Sequence, residues 1–220
     1  MISEQLRKSI LQAAIQGKLT EQLPEDGDAR VLLAEIQFEK AQLIKDGKIK
    51  NEKALPEITE DEIPFDIPEN WSWVRLGDVV QINPRNKIED EILVSFMPMT
   101  LLDNGYSNKF SFEERLWKDV KYGFTHFANN DVVVAKITPC FQNRKSAVVT
   151  DLINGFGAGT TELHVLRPIN NLIYSKYILS LLKTEYFIGD GVLNMTGTAG
   201  QQRVGKGYIE KLLCPLPPRS

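Results

Sequence analysis

The sequence has 220 residues, of which 42% are hydrophobic and 25% are charged, a composition typical of a globular protein and unlike that of disordered, collagen-like or low-complexity chains. Its longest apolar runs, such as Val132 to Ala135, fall far short of the roughly 18 residues needed to cross a bilayer, so the composition predicts a soluble protein. No basic flank followed by an apolar core opens the chain, and two cysteines, Cys140 and Cys214, fit a reducing cytoplasm better than a disulfide framework.

The net charge of −3 is unevenly distributed along the chain. Up to Asn70 there are 9 Lys and Arg against 15 Asp and Glu, whereas from Trp71 onward there are 17 against 14. The overall acidity argues against a protein that coats nucleic acid without specificity. A local basic face in the later part can still supply phosphate contacts.

The first 50 residues predict two amphipathic helices. From Gln5 to Gln16 the apolar residues recur every three or four positions, and Gly17 stands where a helix would end. A second helix is predicted to begin after Asp28, a favourable N-cap, and to end at the Asp46-Gly47 pair. We therefore expect an N-terminal helical hairpin arm.

Helical periodicity is lost in residues 51–70, where three prolines favour an extended linker. From residue 71 to residue 220 the pattern is typical of a mixed β-sheet domain with a few helices, so the predicted fold class is α+β. One strong helix is predicted from Tyr174 to Phe187. The predicted strands are Val79 to Ile82, Leu93 to Met99, Asp131 to Ile137, Ala147 to Thr150, Leu163 to Leu166 and Leu212 to Leu216.

Two glycine-rich segments approach the motifs of nucleotide-binding and methyl-transfer enzymes. The segment from Gly200 to Gly207 matches a phosphate loop except at its end, where glycine replaces the Ser or Thr that binds magnesium. The segment from Phe156 to Thr161 is similar to the glycine loop of adenine methyltransferases that use S-adenosylmethionine, but its spacing differs by one, and a predicted strand follows it. A stand-alone enzyme of either kind is therefore an alternative hypothesis.

The sequence predicts no metal site and no catalytic residue in this chain. Cys140 and Cys214 lie 74 positions apart, and neither His126 nor His164 has a neighbouring ligand at zinc-site spacing. The position two residues before Lys136 holds valine rather than the carboxylate that a metal-dependent nuclease needs. We interpret both histidines as structural.

Two acid-free stretches carry residue types suited to reading DNA. One runs from Val132 to Thr150 and includes a predicted loop around Pro139; the other runs from Gly191 to Ile209. Arg and Lys contact guanine edges or phosphates, and Asn and Gln pair with adenine, although a solvated hairpin has a similar composition. The candidate DNA contacts are Lys136, Thr138, Gln142, Asn143, Arg144 and Lys145 in the first stretch, and Thr198, Gln201, Gln202 and Arg203 in the second.

Several short motifs occur in an informative order. They are Trp71 to Val79 (WSWVRLGDV), Asn130 to Lys136 (NDVVVAK), Gly159 to Leu166 (GTTELHVL), Gly197 to Val204 (GTAGQQRV), Ile209, and Leu212 to Pro218. In this order they resemble a target recognition domain of the type I restriction-modification specificity subunit. The stretches from Leu6 to Leu19 and from Leu43 to Ile63 resemble the conserved helical region of that family.

The resemblance implies a non-catalytic DNA-binding subunit that takes part in defence against foreign DNA. Each recognition domain of the family reads one half of a split target in double-stranded DNA, and the helices set the separation of the halves. The subunit holds adenine methyltransferase (modification) subunits, and the full assembly adds restriction subunits. The resemblance thus implies no cofactor in this chain, with S-adenosylmethionine, ATP and magnesium belonging to the partner subunits.

Full-length members of that family have two recognition domains, so we expect this chain to be either a natural half-size subunit or a truncated fragment. An exposed apolar stripe on the helical arm must be covered by a partner helix or a second copy, and a homodimer would rebuild a reader with identical half-sites. A protein-interaction adaptor that uses the arm without DNA is a further alternative. The candidate partner or dimer contacts are Leu6, Ile10, Leu32, Ile36 and Leu43.

Overall fold

The structure is a computed structural model, and it describes residues 3–219. The helices in this part of the chain are α1 (Glu4–Ile15), α2 (Ala29–Lys45), α3 (Leu76–Val79), α4 (Trp117–Val120), α5 (Ser175–Leu182), α6 (Glu185–Leu193) and α7 (Lys206–Lys211). The strands are β1 (Ser72–Arg75), β2 (Val80–Ile82), β3 (Leu93–Met97), β4 (Glu113–Leu116), β5 (Thr125–Ala128), β6 (Val132–Ala135), β7 (Ser146–Val148), β8 (Phe156–Gly159), β9 (Leu163–Pro168) and β10 (Leu213–Leu216). Helices and mixed sheets together confirm the predicted α+β class. Within residues 3–219, no helix is both long enough and apolar enough to span a membrane.

The internal contacts of the chain divide it into two compact units. Unit 1 contains the described residues up to Gln81, the segment Pro168–Tyr174 and the residues from Gly207 onward, whereas unit 2 contains Ile82–Arg167 and Ser175–Lys206. Three separate parts of the sequence therefore build unit 1. The functional boundaries expected from the sequence, with an arm over residues 1–50, a linker over 51–70 and a recognition domain over 71–220, stay predictions.

The two helices at the start of unit 1 begin and end where the sequence predicts. Asp28 caps α2, because its carboxylate accepts a hydrogen bond of 2.7 Å from the backbone N–H of Arg30. Gly17, just after α1, has a φ of +66°, and a Cβ at this position would lie only 2.5 Å from Cγ of Pro68. Glycine is therefore required there both by the left-handed backbone and by the close approach of the linker.

Arg75 at the end of β1 holds the linker of unit 1 in place. Only 4% of this residue is exposed, and its guanidinium donates to the carbonyl oxygens of Pro56 and Glu57 and to the carboxylate of Glu62. This hydrogen bonding lowers the pKa of Glu62 to about 2. β1 pairs antiparallel with β10, so Arg75 ties the linker, whose one short 3-10 turn is Glu60–Glu62, to a two-stranded sheet.

Unit 2 is built around two sheets. One contains β9, β6 and β7 in antiparallel order, and the other has the order β4-β3-β8-β5, in which β3 and β8 run parallel. Phe127, Val133 and Val165 lie in one fully buried cluster that takes side chains from strands of both sheets. This core cluster of unit 2 is therefore shared by the two sheets.

The single helix predicted from Tyr174 to Phe187 is wrong in its extent, because the structure has two helices there. Helix α5 ends at Leu182, and α6 begins after Thr184, whose hydroxyl accepts a hydrogen bond of 3.1 Å from the backbone N–H of Phe187. Threonine competes with helix continuation by capping a new helix. The break turns Lys183 toward the protein interior.

The sequence analysis also missed four short strands, β1, β4, β5 and β8. Strand β8 contains two glycines, which normally weaken a strand. A Cβ at Gly157 would lie 2.1 Å from Cε2 of Phe127 and 2.7 Å from the carbonyl oxygen of Ser95. The glycines of β8 therefore allow close packing of the sheet on Phe127, a requirement that depends on tertiary contacts and that local propensity does not predict.

Candidate nucleic-acid interface

The two acid-free stretches lie side by side in unit 2. We define the first loop as residues 136–145, which join β6 to β7, and the second loop as residues 194–205, which follow α6. The backbone N–H of Thr138 donates to Gln202 O (3.0 Å), and the N–H of Val204 donates to Lys136 O (2.9 Å). Two segments that are about 60 positions apart in the sequence thus form one continuous loop surface.

The side chains exposed on this surface are mainly amides and hydroxyls. Gln142 and Asn143 are exposed on the first loop, and Thr198 and Gln201 are exposed on the second. Lys136, Thr138 and Gln202 are half-buried. The candidates named from the sequence are therefore brought together, and the most accessible of them are neutral hydrogen-bonding groups rather than cations.

Arg144 and Lys145 have partners within the protein. The guanidinium of Arg144 donates to Lys183 O (3.1 Å), forms an ion pair with Glu185, and lies 5.0 Å from the centre of the Tyr106 ring. The Lys145 ammonium donates to two backbone carbonyl oxygens, at 2.9 and 2.6 Å, in the segment that follows β3. Both cations therefore hold the first loop in position in this structure.

Arg203 on the second loop forms a bidentate ion pair with Glu162. Two guanidinium nitrogens, Nε and Nη2, donate to the two carboxylate oxygens at 2.9 Å each, and Nη1 donates to Gln201 O at 2.8 Å. The hydrogen bonds from Arg203 lower the pKa of Glu162, so this carboxyl stays ionised at neutral pH. A carboxylate from the turn before β9 therefore lies against the second loop, although the sequence of that loop contains no acid.

Phe141 anchors the first loop in the core of unit 2. It is 1% exposed, its ring centre lies 5.1 Å from that of Phe187, and the helix residue Gly191 leaves room for it. A Cβ at Gly191 would lie 2.3 Å from Cζ of Phe141. The sequence analysis did not single out Phe141, although a large apolar residue within a polar loop is a usable signal for such an anchor.

Lys183 connects the base of the first loop to a neighbouring segment. Only 3% of this residue is exposed, and its ammonium donates to the carbonyl oxygens of Gly105 (2.6 Å), Arg144 (2.7 Å) and Ser146 (2.9 Å). Burial and then the charge of Arg144 lower the pKa of Lys183 to about 8. At neutral pH the group is therefore still an ammonium with three N–H donors, one for each carbonyl. Lysines are rarely buried, and nothing in the local sequence marks this one.

His164 fixes the end of the second loop from strand β9. Its Nε2 lies 2.9 Å from Val204 O, and its Nδ1 lies 3.2 Å from Nδ2 of Asn83. Because Oδ1 of Asn83 accepts from the backbone N–H of Val165, the Asn83 amide nitrogen must donate to His164. His164 is therefore neutral with its proton on Nε2, and burial, the largest cause, lowers its pKa.

His126 is neutral for a similar reason. Its Nδ1 accepts from the backbone N–H of Asn86 at 3.1 Å, its Nε2 lies 3.0 Å from Lys121 O, and its ring packs on Trp117. Burial, followed by the charge of Arg85, lowers its pKa to about 4. Both histidines thus make the hydrogen bonds of structural residues.

The segments that approached enzyme motifs have other roles in this structure. Residues Phe156–Gly159 are strand β8, paired with β3 and β5, and do not open a helix as a cofactor loop does. Among the residues that the structure describes, no three His, Cys, Asp or Glu side chains are grouped to hold a metal ion. Cys140 is half-buried in the first loop and Cys214 is buried in β10, and both are free thiols.

The helical contacts predicted from the sequence are only partly at the surface. Leu6 and Ile10 on α1 are 48% and 41% exposed, and Leu43 is half-buried. The prediction that Leu32 and Ile36 offer a docking surface needs correction, because they are 5% and 0% exposed. Helix α2 packs against α3 and the turn at residues 169–171 of unit 1. On α2 the exposed large apolar residues are instead Val31 and Phe38.

The fold is similar to that of solved structures from type I restriction-modification systems. No family model matches the chain. The fold is similar to that of the crystal structure of the HsdS subunit from Thermoanaerobacter tengcongensis, with a TM-score of 0.57 and 20% identity over 72% of this chain and 40% of that one. It is equally similar, with a TM-score of 0.57, to a chain from a structural study of complex assembly in the type I R-M system, with 21% identity over 70% of this chain and 40% of that chain.

Curated relatives identify the family more closely. The type I restriction enzyme EcoAI specificity subunit of Escherichia coli is 48% identical over 216 residues, which cover 98% of this chain and 37% of that protein. The EcoEI specificity subunit of the same organism is 43% identical over 218 residues, which cover 99% of this chain and 37% of that protein. Over nearly its whole length, the chain is therefore similar to type I restriction enzyme specificity subunits, and it spans a little over a third of the length of these relatives.

Proposed function

We propose that this chain is a sequence-specific DNA-recognition segment of a type I restriction-modification complex and reads one half of a split target in the cytoplasm. The observation that carries the proposal is the loop surface of unit 2, where two separate polar loops are joined by backbone hydrogen bonds. The exposed side chains of this surface are Gln142, Asn143, Thr198 and Gln201. The similarity to type I restriction enzyme specificity subunits supports the same role.

These side chains are suited to base readout in the major groove. The amide of Gln142 or Asn143 can accept a hydrogen bond from N6 of adenine while it donates one to N7. A threonine hydroxyl can either donate to a base edge or accept from it. Phe141 and Lys183 anchor the first loop, and His164 holds the end of the second loop. A preformed loop loses less conformational entropy on binding, so such anchoring favours both affinity and discrimination between sequences.

The cations of the surface have a different role in this proposal. Arg144 and Arg203 now contact carboxylates, and a DNA phosphate presents the same two-oxygen acceptor to a guanidinium. Phosphate contacts position a protein on the duplex without reading its sequence. We therefore assign discrimination to the amides and positioning to Lys136, Arg144 and Arg203, while Lys145 maintains the loop.

The chemistry belongs to partner subunits in this proposal. The chain docks adenine methyltransferase subunits, which use S-adenosylmethionine, and a restriction subunit, which uses ATP and magnesium; the chain itself supplies no catalytic residue. The apolar side chains Leu6 and Ile10 of α1 are candidates for such docking, or for pairing with a second copy. Light scattering of the purified chain at high concentration tests the second possibility, and a monomer would contradict it.

The decisive experiment is to co-express the chain with the adenine methyltransferase encoded beside it, to purify the complex through a tag on this chain, and to map adenine methylation in host DNA. We expect a stoichiometric complex that methylates one defined motif. Gln142→Ala is expected to weaken binding to the cognate DNA by about 1 to 3 kcal/mol and to relax the methylated motif at one base position. The control is Lys118→Ala, which replaces an exposed lysine on α4 and should leave the motif unchanged. Equal binding of cognate and scrambled DNA by the unmutated complex would refute the proposal.

The same experiment separates the alternatives. A complex that forms but does not methylate indicates a fragment that docks without a complete recognition unit. Failure to form any complex favours a protein-interaction adaptor or a stand-alone enzyme. Calorimetry of the isolated chain with ATP or S-adenosylmethionine then distinguishes these two, since only the enzyme is expected to bind either compound.

A further inference from the structure

A third loop of unit 2, which the sequence analysis did not single out, lies against the first loop. It comprises residues 103–109, between β3 and β4. The backbone N–H of Asp103 donates to Lys109 O at 3.1 Å, so the ends of the loop meet. At its turn, the N–H of Gly105 donates to Asn143 O in the first loop at 2.8 Å. The third loop is therefore hydrogen-bonded directly to a residue that we place at the DNA surface.

Further contacts fix the third loop to the first loop and its strand. The Lys183 ammonium donates to Gly105 O and also to Arg144 O, so one buried cation joins the two loops. The guanidinium of Arg144 lies over the ring of Tyr106. The side-chain oxygen of Asn108 accepts from the backbone N–H of Val148 in β7 at 2.7 Å. Contacts at Gly105, Tyr106 and Asn108 therefore fix the third loop to the first loop and to β7.

We infer that residues 103–109 form a third DNA-contacting loop, in which Asn104 and Lys109 contact the duplex beside the bases read by the first loop. Both side chains are exposed. An amide suits an adenine edge and an ammonium suits a phosphate. Asp103 is exposed as well, and its carboxylate disfavours a phosphate but can accept from a cytosine amino group. This inference rests on the proposed function of the loop surface.

The test uses the complex with the adenine methyltransferase and compares Asn104→Ala, Lys109→Ala and the control Lys118→Ala. Lys118 is an exposed lysine next to β4, at the opposite end of the β3–β4 pair from the third loop, since Leu116 lies opposite Leu93. We measure the methylated motif, and DNA affinity at about 50 and about 200 mM salt. Unchanged midpoints of urea unfolding show that each variant is folded.

If the inference is correct, Asn104→Ala lowers discrimination at one base position by about tenfold. Lys109→Ala weakens binding to all DNA sequences alike, and this binding depends less on salt than that of the unmutated complex. Lys118→Ala leaves both properties unchanged. If Asn104→Ala and Lys109→Ala match the unmutated complex while Gln142→Ala changes the motif, the third loop is not a contact and the inference fails, although the proposed function stands. If the unmutated complex does not discriminate between sequences, the proposed function itself fails.

Discussion

Replacing Lys183 with methionine is expected to cost unit 2 about 3 kcal/mol of its free energy of unfolding. The change removes three hydrogen bonds, of 2.6 to 2.9 Å, from an ammonium that is 3% exposed in the chain. A hydrogen bond to a charged group contributes about 1.5 to 3 kcal/mol, but burying the ammonium costs several kcal/mol. Methionine keeps most of the apolar stem. The net loss is therefore set by the carbonyl oxygens left without this donor, at about 1 to 3 kcal/mol for a buried one. It is smaller for the part-buried carbonyls of Gly105 and Arg144, and Arg144 O keeps a hydrogen bond from the Ser146 hydroxyl.

The assay is urea unfolding of the purified chain near pH 7, with Lys176→Met as the matched control. Lys176 is an exposed lysine on α5, so its replacement should change the free energy of unfolding by no more than about 0.5 kcal/mol. If Lys183→Met is as stable as the control variant, the three hydrogen bonds contribute nothing net and the reasoning is refuted. In the folded complex we also expect Lys183→Met to weaken discrimination between DNA sequences, because two loops lose their common anchor.

Three other changes test the remaining contacts. Gly191→Ala places a Cβ 2.3 Å from Phe141 and should cost about 1 to 3 kcal/mol in urea unfolding, whereas Gly189→Ala in the same helix meets nothing within 4 Å and should be neutral or stabilising by about 0.5 kcal/mol. Equal effects of the two would contradict this packing. Burial lowers the pKa of His126 from its ordinary value of 6.5 to about 4, so the native state binds fewer protons than the unfolded state between these pH values. Up to about 3 kcal/mol of stability is therefore lost as pH falls through this window. The free energy of unfolding in urea should fall less between about pH 7 and about pH 4.5 for His126→Gln than for the unmutated chain. Glu162→Gln removes the carboxylate that pairs with Arg203, so it should raise DNA affinity for all sequences alike; unchanged affinity in a filter-binding titration would argue against a phosphate role for Arg203.

Local sequence patterns were sufficient for the elements whose determinants are close together in the chain. Asp28 and Gly17 mark helix boundaries because capping depends on the residue itself and its immediate neighbours. The apolar runs of β6 and β9 predict buried strands for the same reason. The two polar loops were also predicted, since an absence of acids and a proline between two strands are visible without any tertiary information.

Only the tertiary structure decided how those loops are held and which of their side chains are accessible. Arg144 and Arg203 look like free cations in the sequence, but Glu185 and Glu162, each about 40 positions away, pair with them. The burial of Lys183, the third loop, and the covered positions of α2 depend in the same way on groups far apart in the chain. Composition and periodicity describe what a segment can do next to its sequence neighbours. The packing of distant segments sets the desolvation and pairing of each charge, and so determines which residues hold the surface together and which can contact DNA.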